Sequence, residues 1–171
     1  IYHYGTGDLP TEGSVVKLEI DKEKRSLYSR LHSAGHALDV AMINIGYPPE
    51  RLKATKGHHF PGEACVEYDI VGSPLTADEM ASLPSSLKTE MLSIIEADIE
   101  TEVIQDISKM EATEMGMRDL ECYPERLRVV KVANCFLPCS GTHVKRSSVI
   151  GPVTVTRVKK KKNTLKVSYT L

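Results

Sequence analysis

Two histidines stand four residues apart in the segment RLHSAGHALDVAM, at positions 32 and 36. Residues i and i+4 of a helix share one face, with Cβ atoms about 5 to 6 Å apart, so two imidazoles at this spacing can bind one metal ion. The same spacing is also typical of histidine pairs that only satisfy each other's polar atoms. Because zinc takes three or four nitrogen or sulfur ligands, the metal hypothesis requires further donors elsewhere in the chain.

A second pair of donors follows much later in the sequence. The segment CFLPCSGTHVKR supplies Cys139 and His143 in a loop after a predicted strand, where a proline and a glycine bend the chain. A bent loop can direct a thiolate and an imidazole at one point. Together the two pairs form a three-histidine, one-cysteine set that suits zinc. Cys135 is the nearest competing ligand, and we interpret it as a core residue because its neighbours Phe136 and Leu137 are apolar.

Composition limits the class of protein around this candidate metal site. The chain has 171 residues, of which 41% are hydrophobic, and it lacks an apolar run of the roughly 20 residues that a membrane span requires. We therefore expect a globular domain with no membrane partner. The four cysteines are irregularly spaced, which favours a reducing compartment and a cytoplasmic location. The chain begins with Ile1 and not with Met, which we interpret as a processed or excised piece.

The net charge of −1 hides a strong asymmetry along the chain. Residues 126–171 carry eleven lysines and arginines and no acidic residue, whereas all 23 acidic residues precede them. A lysine block alone is typical of a solvated hairpin tip, but an ordinary surface mixes both signs of charge. The absence of acidic residues therefore favours contact of this region with nucleic-acid phosphates, and a solvated hairpin tip is the alternative. The candidate residues are Lys145, Arg146, Arg157, Lys159, Lys160, Lys161 and Lys162.

The elements that must position these residues are predicted from hydrophobic periodicity and turn residues. The pattern indicates an α+β fold with helices packed on a mostly antiparallel sheet. Thr76 to Glu79 resembles a capping box inside a connection over residues 72–86. Predicted helices cover about 29–45, 87–103 and 111–120. Predicted strands cover 14–20, two short stretches within 58–70, 103–110, 126–133 and a hairpin over 149–171 that turns at the lysines and Asn163.

The combination of HSAGH, CSGTHV and the closing IGPVTVTRVKKKKNTLKVSY resembles the editing domain of alanyl-tRNA synthetases and AlaX-type trans-editing proteins. The similarity runs from about residue 15 to residue 171. The related editing module of threonyl-tRNA synthetases also carries HxxxH and CxxxH. The resemblance implies the α+β fold of the second additional domain of threonyl- and alanyl-tRNA synthetases. It also implies that residues 1–20 are the trailing edge of a preceding β-barrel-like domain and that residues 21–171 are a zinc-dependent editing domain.

The resemblance implies a zinc-dependent aminoacyl-tRNA deacylase that binds the acceptor stem and terminal adenosine of a mischarged tRNA. The expected substrate is Ser-tRNA(Ala), with Gly-tRNA(Ala) as a further one. The resemblance also implies that His32, His36, Cys139 and His143 are the zinc ligands. Four protein ligands normally close a structural zinc site, whereas hydrolysis needs an open position, so an exchangeable ligand or a five-coordinate metal is required. The alternatives are a threonyl-type module that clears Ser-tRNA(Thr) and a catalytically inert, zinc-stabilised tRNA-binding module.

Further candidate site residues are those that could distinguish serine from alanine or lie around the metal and the substrate. A synthetase pocket for alanine cannot strongly reject serine, so an editing site must pair with the serine hydroxyl. Thr55 is our candidate for that pairing, the alternative being an ordinary surface strand residue. Asp39, one helical turn after His36, is predicted to hold an imidazole. His58 and His59 are interpreted as exposed loop residues, the alternative being that they cap the substrate cleft or stack on the terminal adenine.

Overall fold

Three α-helices and two antiparallel sheets make up the structure, a computed structural model that describes residues 6–8 and 10–171. The predicted α+β class is therefore confirmed. The helices are α1 (Lys22–Asn44), α2 (Ala77–Glu96) and α3 (Lys109–Glu114). The strands are β1 (Leu52–His58), β2 (Cys65–Ile70), β3 (Glu102–Ser108), β4 (Arg126–Val132), β5 (Cys135–Pro138), β6 (Thr154–Lys161) and β7 (Thr164–Thr170).

Helix α1 begins seven residues before the predicted start at residue 29. Asp21 caps it, because its side chain accepts a hydrogen bond from the Lys24 backbone N–H at 3.0 Å. The charged segment DKEKRS, residues 21–26, is therefore the cap and first turn of the helix. The helix ends where expected, just before Gly46, whose φ of +95° suits glycine. The early start adds two exposed turns ahead of the histidines.

The larger sheet has the strand order β1-β2-β7-β6, with all three pairs antiparallel. The predicted C-terminal hairpin is confirmed, and Lys162 and Asn163 form its turn. Helices α1 and α2 pack on this sheet, and the main core lies between them. Its buried side chains come from both helices and the sheet and include Leu38 and Met42 of α1, Leu87 and Met91 of α2, and Leu165 and Val167 of β7.

Helix α2 corrects the expected connection over residues 72–86. The helix starts at Ala77 and runs through Pro84 to Glu96, although an internal proline removes one hydrogen bond and costs about 3 kcal/mol. Two features offset this cost. The predicted capping box at Thr76 and Glu79 is present, and Leu83 and Leu87 beside the proline are fully buried. Packing of the apolar face therefore overrides the local signal to stop.

The smaller sheet has the order β3-β4-β5 and packs with α3 around a second, smaller core. One sheet was expected, and β5 was not predicted. The turn before β5 explains why: Ala133 and Asn134 both adopt positive φ, at 46° and 68°, and close a tight hairpin without a glycine. Cys135, Phe136 and Leu137 are half-buried on this strand, which makes the predicted core position of Cys135 only partly correct.

The predicted strand over residues 14–20 is wrong. These residues form neither helix nor strand, and Val15, Leu18 and Ile20 are exposed. A strand needs a hydrogen-bonded neighbour, and no strand of the described residues pairs with this stretch. The proposed division at residue 20/21 stays a prediction, and residues 1–5 and 9 of that first segment lie outside the described residues.

Candidate metal site

Helix α1 carries the first half of the site on its inner side. His32 and His36 are half-buried, and the residues between them, Ser33 to Gly35, are buried. The two imidazole centroids lie 4.8 Å apart, as the spacing of four predicts for one helical face. The small residues between the histidines let other parts of the chain approach the helix closely.

The loop after β5 brings the second half of the site against α1. Cys139 and His143 lie on this loop, and its backbone is tied to the helix by Ser33, whose hydroxyl accepts a hydrogen bond from the Val144 N–H at 3.0 Å. Gly141 is required for the approach, because a Cβ at this position would overlap the His32 ring. The loop therefore docks on α1 through a glycine and a buried serine.

The structure brings the four predicted ligands together. One donor atom from each of His32, His36, Cys139 and His143 lies within 4.8 Å of the others. We call these four residues the His–Cys cluster. The His143 ring centroid is 4.5 Å from that of His32 and 5.1 Å from that of His36. The thiol Sγ of Cys139 is 3.5 Å from His32 Nε2. Residues 107 positions apart in the sequence thus meet at one point.

The orientation of the three imidazoles fits a metal ion. Each ring turns Nδ1 toward a fixed group of the protein: Thr142 O for His32 at 3.2 Å, Asp39 Oδ2 for His36 at 3.9 Å and Ser33 Oγ for His143 at 3.5 Å. The Nε2 atoms of His36 and His143 are buried without a hydrogen-bond partner. Buried polar atoms are rarely left unsatisfied, and ligation by Nε2 with Nδ1 held from outside is the usual arrangement of histidine ligands.

The electrostatics of the cluster keep its imidazoles neutral, which is the form that binds a metal. Burial lowers the pKa of His143 to about 4, with further lowering by His32 and by the Arg128 guanidinium. Burial, together with the neighbouring histidines, holds the pKa of His36 well below its usual range. Burial lowers the pKa of His32 as well. The cluster is therefore ready to act as a set of ligands at neutral pH.

Asp39 lies beside the cluster, with Oδ2 3.9 Å from His36 Nδ1. This distance is longer than a hydrogen bond, so the predicted hold of Asp39 on an imidazole stays a prediction. Its Oδ1 accepts a hydrogen bond from the Tyr68 hydroxyl of β2 at 2.7 Å, while Oδ2 faces His36. Burial raises the pKa of Asp39 to about 7. The carboxyl group thus connects the central strand of the larger sheet to the histidine helix.

His59 is a fourth imidazole at the site. It lies in a loop as expected, but it is half-buried, so its expected exposure is wrong. Its ring centroid is 4.9 Å from that of His32, whereas His58 is exposed as expected. Tyr169 explains its position. The Tyr169 hydroxyl donates to the Leu31 carbonyl at 2.9 Å, so it accepts from His59 Nδ1 at 2.8 Å. The proton therefore lies on Nδ1, and the Nε2 lone pair of His59 is left as an acceptor.

Arg128 of β4 is a further site residue that the sequence did not reveal. Its guanidinium donates to the Cys139 carbonyl at 2.5 Å, and its backbone carbonyl accepts from the Cys139 N–H at 3.0 Å. Two hydrogen bonds from one residue thus fix the cysteine. No local spacing relates Arg128 or Tyr169 to the metal motifs, and only the strand pairing of the fold brings them there. For His59, the preceding Gly57 was the available signal, because a Cβ at Gly57 would overlap the His59 ring.

The other predicted residues lie outside the cluster. Thr55 is exposed on β1, the edge strand, and its hydroxyl donates to the Glu67 carbonyl at 3.2 Å. Arg146 forms an ion pair with Asp98 at 2.8 Å. The remaining basic candidates are exposed, and most of them lie on β6 and its turn: Lys145, Arg157, Lys159, Lys160, Lys161 and Lys162.

The α+β fold and the three-histidine, one-cysteine cluster together place this protein in the class of candidate metal-binding domains. No family model matches the chain. The chain is 30% identical, over 99% of its length and 41% of the relative's length, to the alanyl-tRNA editing protein AlaX-L of Pyrococcus horikoshii. It is 31% identical to the alanine–tRNA ligase of Idiomarina loihiensis, over 91% of this chain and 18% of that enzyme. It is 28% identical to the alanine–tRNA ligase of Mycobacterium avium, over 84% of this chain and 16% of that enzyme.

These comparisons confirm the resemblance to AlaX-type proteins and alanyl-tRNA synthetases that the two motifs predicted. The chain spans less than half the length of each of these relatives. No helix within residues 6–8 and 10–171 is long and apolar enough to cross a membrane.

Proposed function

We propose that this chain hydrolyses the aminoacyl ester of a mischarged tRNA that accepts alanine. Ser-tRNA(Ala) is the proposed substrate and Gly-tRNA(Ala) a further one. The observation that carries the proposal is the convergence of His32, His36, Cys139 and His143 within 4.8 Å, in a chain similar to an alanyl-tRNA editing protein. The cytoplasm, where charged tRNA is used, is the proposed compartment.

The His–Cys cluster would hold Zn²⁺ through three Nε2 atoms and one thiolate, a donor set that this ion prefers. When bound, zinc supplies positive charge that polarises the ester carbonyl or a water molecule. The proposed zinc position is supported by the two orphaned Nε2 atoms of His36 and His143. Cys139 and His143 lie on a loop, so this half of the cluster is better suited than the helix to release one ligand.

Two residues beside the cluster would act on the reacting groups. His59 Nε2 would accept a hydrogen bond from the attacking water, since Tyr169 holds the proton on Nδ1 and burial lowers the pKa of His59 to about 4. Arg128 would stabilise the negative charge that develops on the ester carbonyl oxygen. Its guanidinium donates a hydrogen bond to the carbonyl of Cys139, a proposed zinc ligand, and so lies next to the site. The ester C–O bond would break, and the ribose oxygen of the terminal adenosine would leave as a hydroxyl by taking up the proton that the water gives up.

Thr55 stays our proposed partner for the serine hydroxyl. Its own hydroxyl proton is used on Glu67, so its oxygen can accept a hydrogen bond from serine. Once a bound aminoacyl group covers this exposed hydroxyl, alanine would leave it unpaired, which would disfavour alanine by roughly 1 to 3 kcal/mol. The basic residues of β6 would contact the acceptor-stem backbone, supplying affinity without reading sequence.

The experiment is deacylation of four substrates by the zinc-loaded protein, by protein treated with a chelator and by treated protein to which zinc is returned. The substrates are Ser-tRNA(Ala), Gly-tRNA(Ala), Ala-tRNA(Ala) and Ser-tRNA(Thr). We expect hydrolysis of the first two, lost with the chelator and restored by zinc. Hydrolysis of Ser-tRNA(Thr) instead would establish threonyl-type editing. Binding of every tRNA without hydrolysis would establish an inert zinc-stabilised module and refute the proposal.

A further inference from the structure

Two exposed aromatic side chains lie together beside the His–Cys cluster. Tyr28 of α1 is 42% exposed, and Phe60, in the loop between β1 and β2, is 60% exposed. Their ring centroids are 6.3 Å apart with an interplanar angle of 78°, which is an edge-to-face pair. An edge-to-face pair leaves the face of the edge-on ring free to stack on another planar group.

The position of the pair along α1 relates it to the cluster. Arg25, Tyr28, His32 and His36 are spaced by three, four and four residues, so they form one stripe on the helix. Tyr28 stands one turn before His32, about 6 Å away along the helix. Phe60 directly follows His59, whose ring is 4.9 Å from that of His32. Both rings are therefore neighbours of the metal ligands.

The stripe presents three kinds of chemistry in a fixed order. The cluster comes first, then the exposed ring of Tyr28, then the exposed guanidinium of Arg25. The end of an aminoacylated RNA has the same order, since the ester is joined to the terminal ribose, the base projects from that ribose, and the phosphate lies on its far side. Aromatic rings bind bases of single strands by stacking, and arginine binds phosphate.

We propose that Tyr28 and Phe60 form a binding site for the nucleobase of the substrate's terminal nucleotide, with Arg25 at its phosphate. The inference rests on the proposed function and adds the part of the substrate that these side chains contact. The pair would place the ester at the cluster by anchoring the base one ribose away. A protein segment could cover the same rings, and the Arg25 charge on the same stripe favours the nucleotide.

The test uses tRNA(Ala) with 2-aminopurine, a fluorescent base, in place of the 3′-terminal adenine. Stacking on an aromatic ring quenches this base, so the zinc-loaded protein is expected to quench it on binding. The double variant Tyr28→Leu with Phe60→Leu should lose the quenching. Tyr28→Phe keeps a ring and should retain it. Tyr123→Leu is the matched control, because Tyr123 is 41% exposed and lies outside this pair.

Kinetics give a second measure of the same site. The double variant should raise KM for Ser-tRNA(Ala) roughly tenfold or more while zinc content stays at one ion per chain, because loss of base stacking is worth about this much. Unchanged quenching and unchanged KM in the double variant would overturn the nucleobase site while leaving the deacylase intact. Quenching that depends on Tyr28 and Phe60 in a protein that hydrolyses no substrate would uphold the site and refute the deacylase.

Discussion

The His–Cys cluster and the basic strand β6 are both candidates for contact with a charged tRNA, and they are built in opposite ways. Each cluster histidine faces a fixed protein group, and the cysteine is held by two hydrogen bonds from Arg128. The lysines of β6 and its turn are exposed, and no ion pair involves Lys159 to Lys162 within the described residues. The cluster therefore depends on exact positions, whereas the basic strand depends on the sum of its charges.

The largest effect is expected from removing one ligand on each half of the cluster. The double variant His32→Ala with Cys139→Ala leaves two donors, fewer than zinc requires, so metal and hydrolysis should both be lost. Metal content measured by mass spectrometry under native conditions checks this. Cys122→Ala, at an exposed free cysteine, is the control and should keep one zinc per chain. Retention of zinc by the double variant would overturn the ligand assignment.

A smaller but still large effect is expected at Gly141. A Cβ there would overlap the His32 ring, so Gly141→Ala should displace either the loop or the imidazole. We expect zinc affinity to fall about 10- to 100-fold, as it does when the partners of metal ligands are changed. Competition with a chromophoric chelator measures the affinity. Ser140→Ala, at an exposed position in the same loop, should bind zinc as the wild type does. Equal affinity in both variants would show that the loop tolerates a side chain.

Acid should destabilise the metal-free protein through the cluster. The unfolded chain binds protons at its histidines near pH 6.5, whereas burial lowers the pKa of His59 and His143 to about 4 in the fold. The unfolded state therefore holds more protons between these values, and the free energy of unfolding should fall as pH falls from about 6.5 to about 4. Asp39 opposes this trend. Its pKa is raised to about 7 in the fold, so below that pH the folded state holds one proton that the unfolded state releases. His32 and His36, whose pKa values are also lowered, act in the same direction as the other two histidines.

Urea unfolding of the metal-free protein at several pH values between 7.5 and 4 checks this expectation. The variant His59→Asn, which removes one of the titrating imidazoles, should show a shallower pH dependence. A free energy of unfolding that rises as the pH falls would contradict the neutral state of the cluster histidines.

The smallest effect on the chemical step is expected from the basic strand. Replacing Lys159 to Lys162 by alanine should weaken tRNA binding and leave zinc content and kcat unchanged. The slope of binding affinity against salt concentration should become shallower by about one for each lysine that contacts a phosphate. Lys88→Ala, an exposed lysine on α2, is the control. A salt slope equal to that of the wild type would remove these lysines from the proposed tRNA surface.

The sequence revealed the parts of this molecule whose signals are local. His32 and His36 share a helical face by their spacing alone, and Cys139 and His143 share a bent loop, so these four could be found without a fold. The capping box of α2 is equally local. The continuation of helix α2 through Pro84 could not be predicted, because it depends on the burial of the helix's apolar face in the fold. Arg128 and Tyr169 reach the cluster only through strand pairing, which leaves no spacing in the sequence, and the only local signal for His59 is the nearby Gly57.

The separation of the ligands along the chain has a consequence for the lifetime of the protein. His32 and Cys139 are 107 residues apart, so a metal ion shared between them would act as a removable cross-link over most of the fold. A cross-link of this length restricts the unfolded chain strongly, as a disulfide of similar span does. Proteases cut chains that open. The amount of this protein in a cell would therefore follow the supply of its metal.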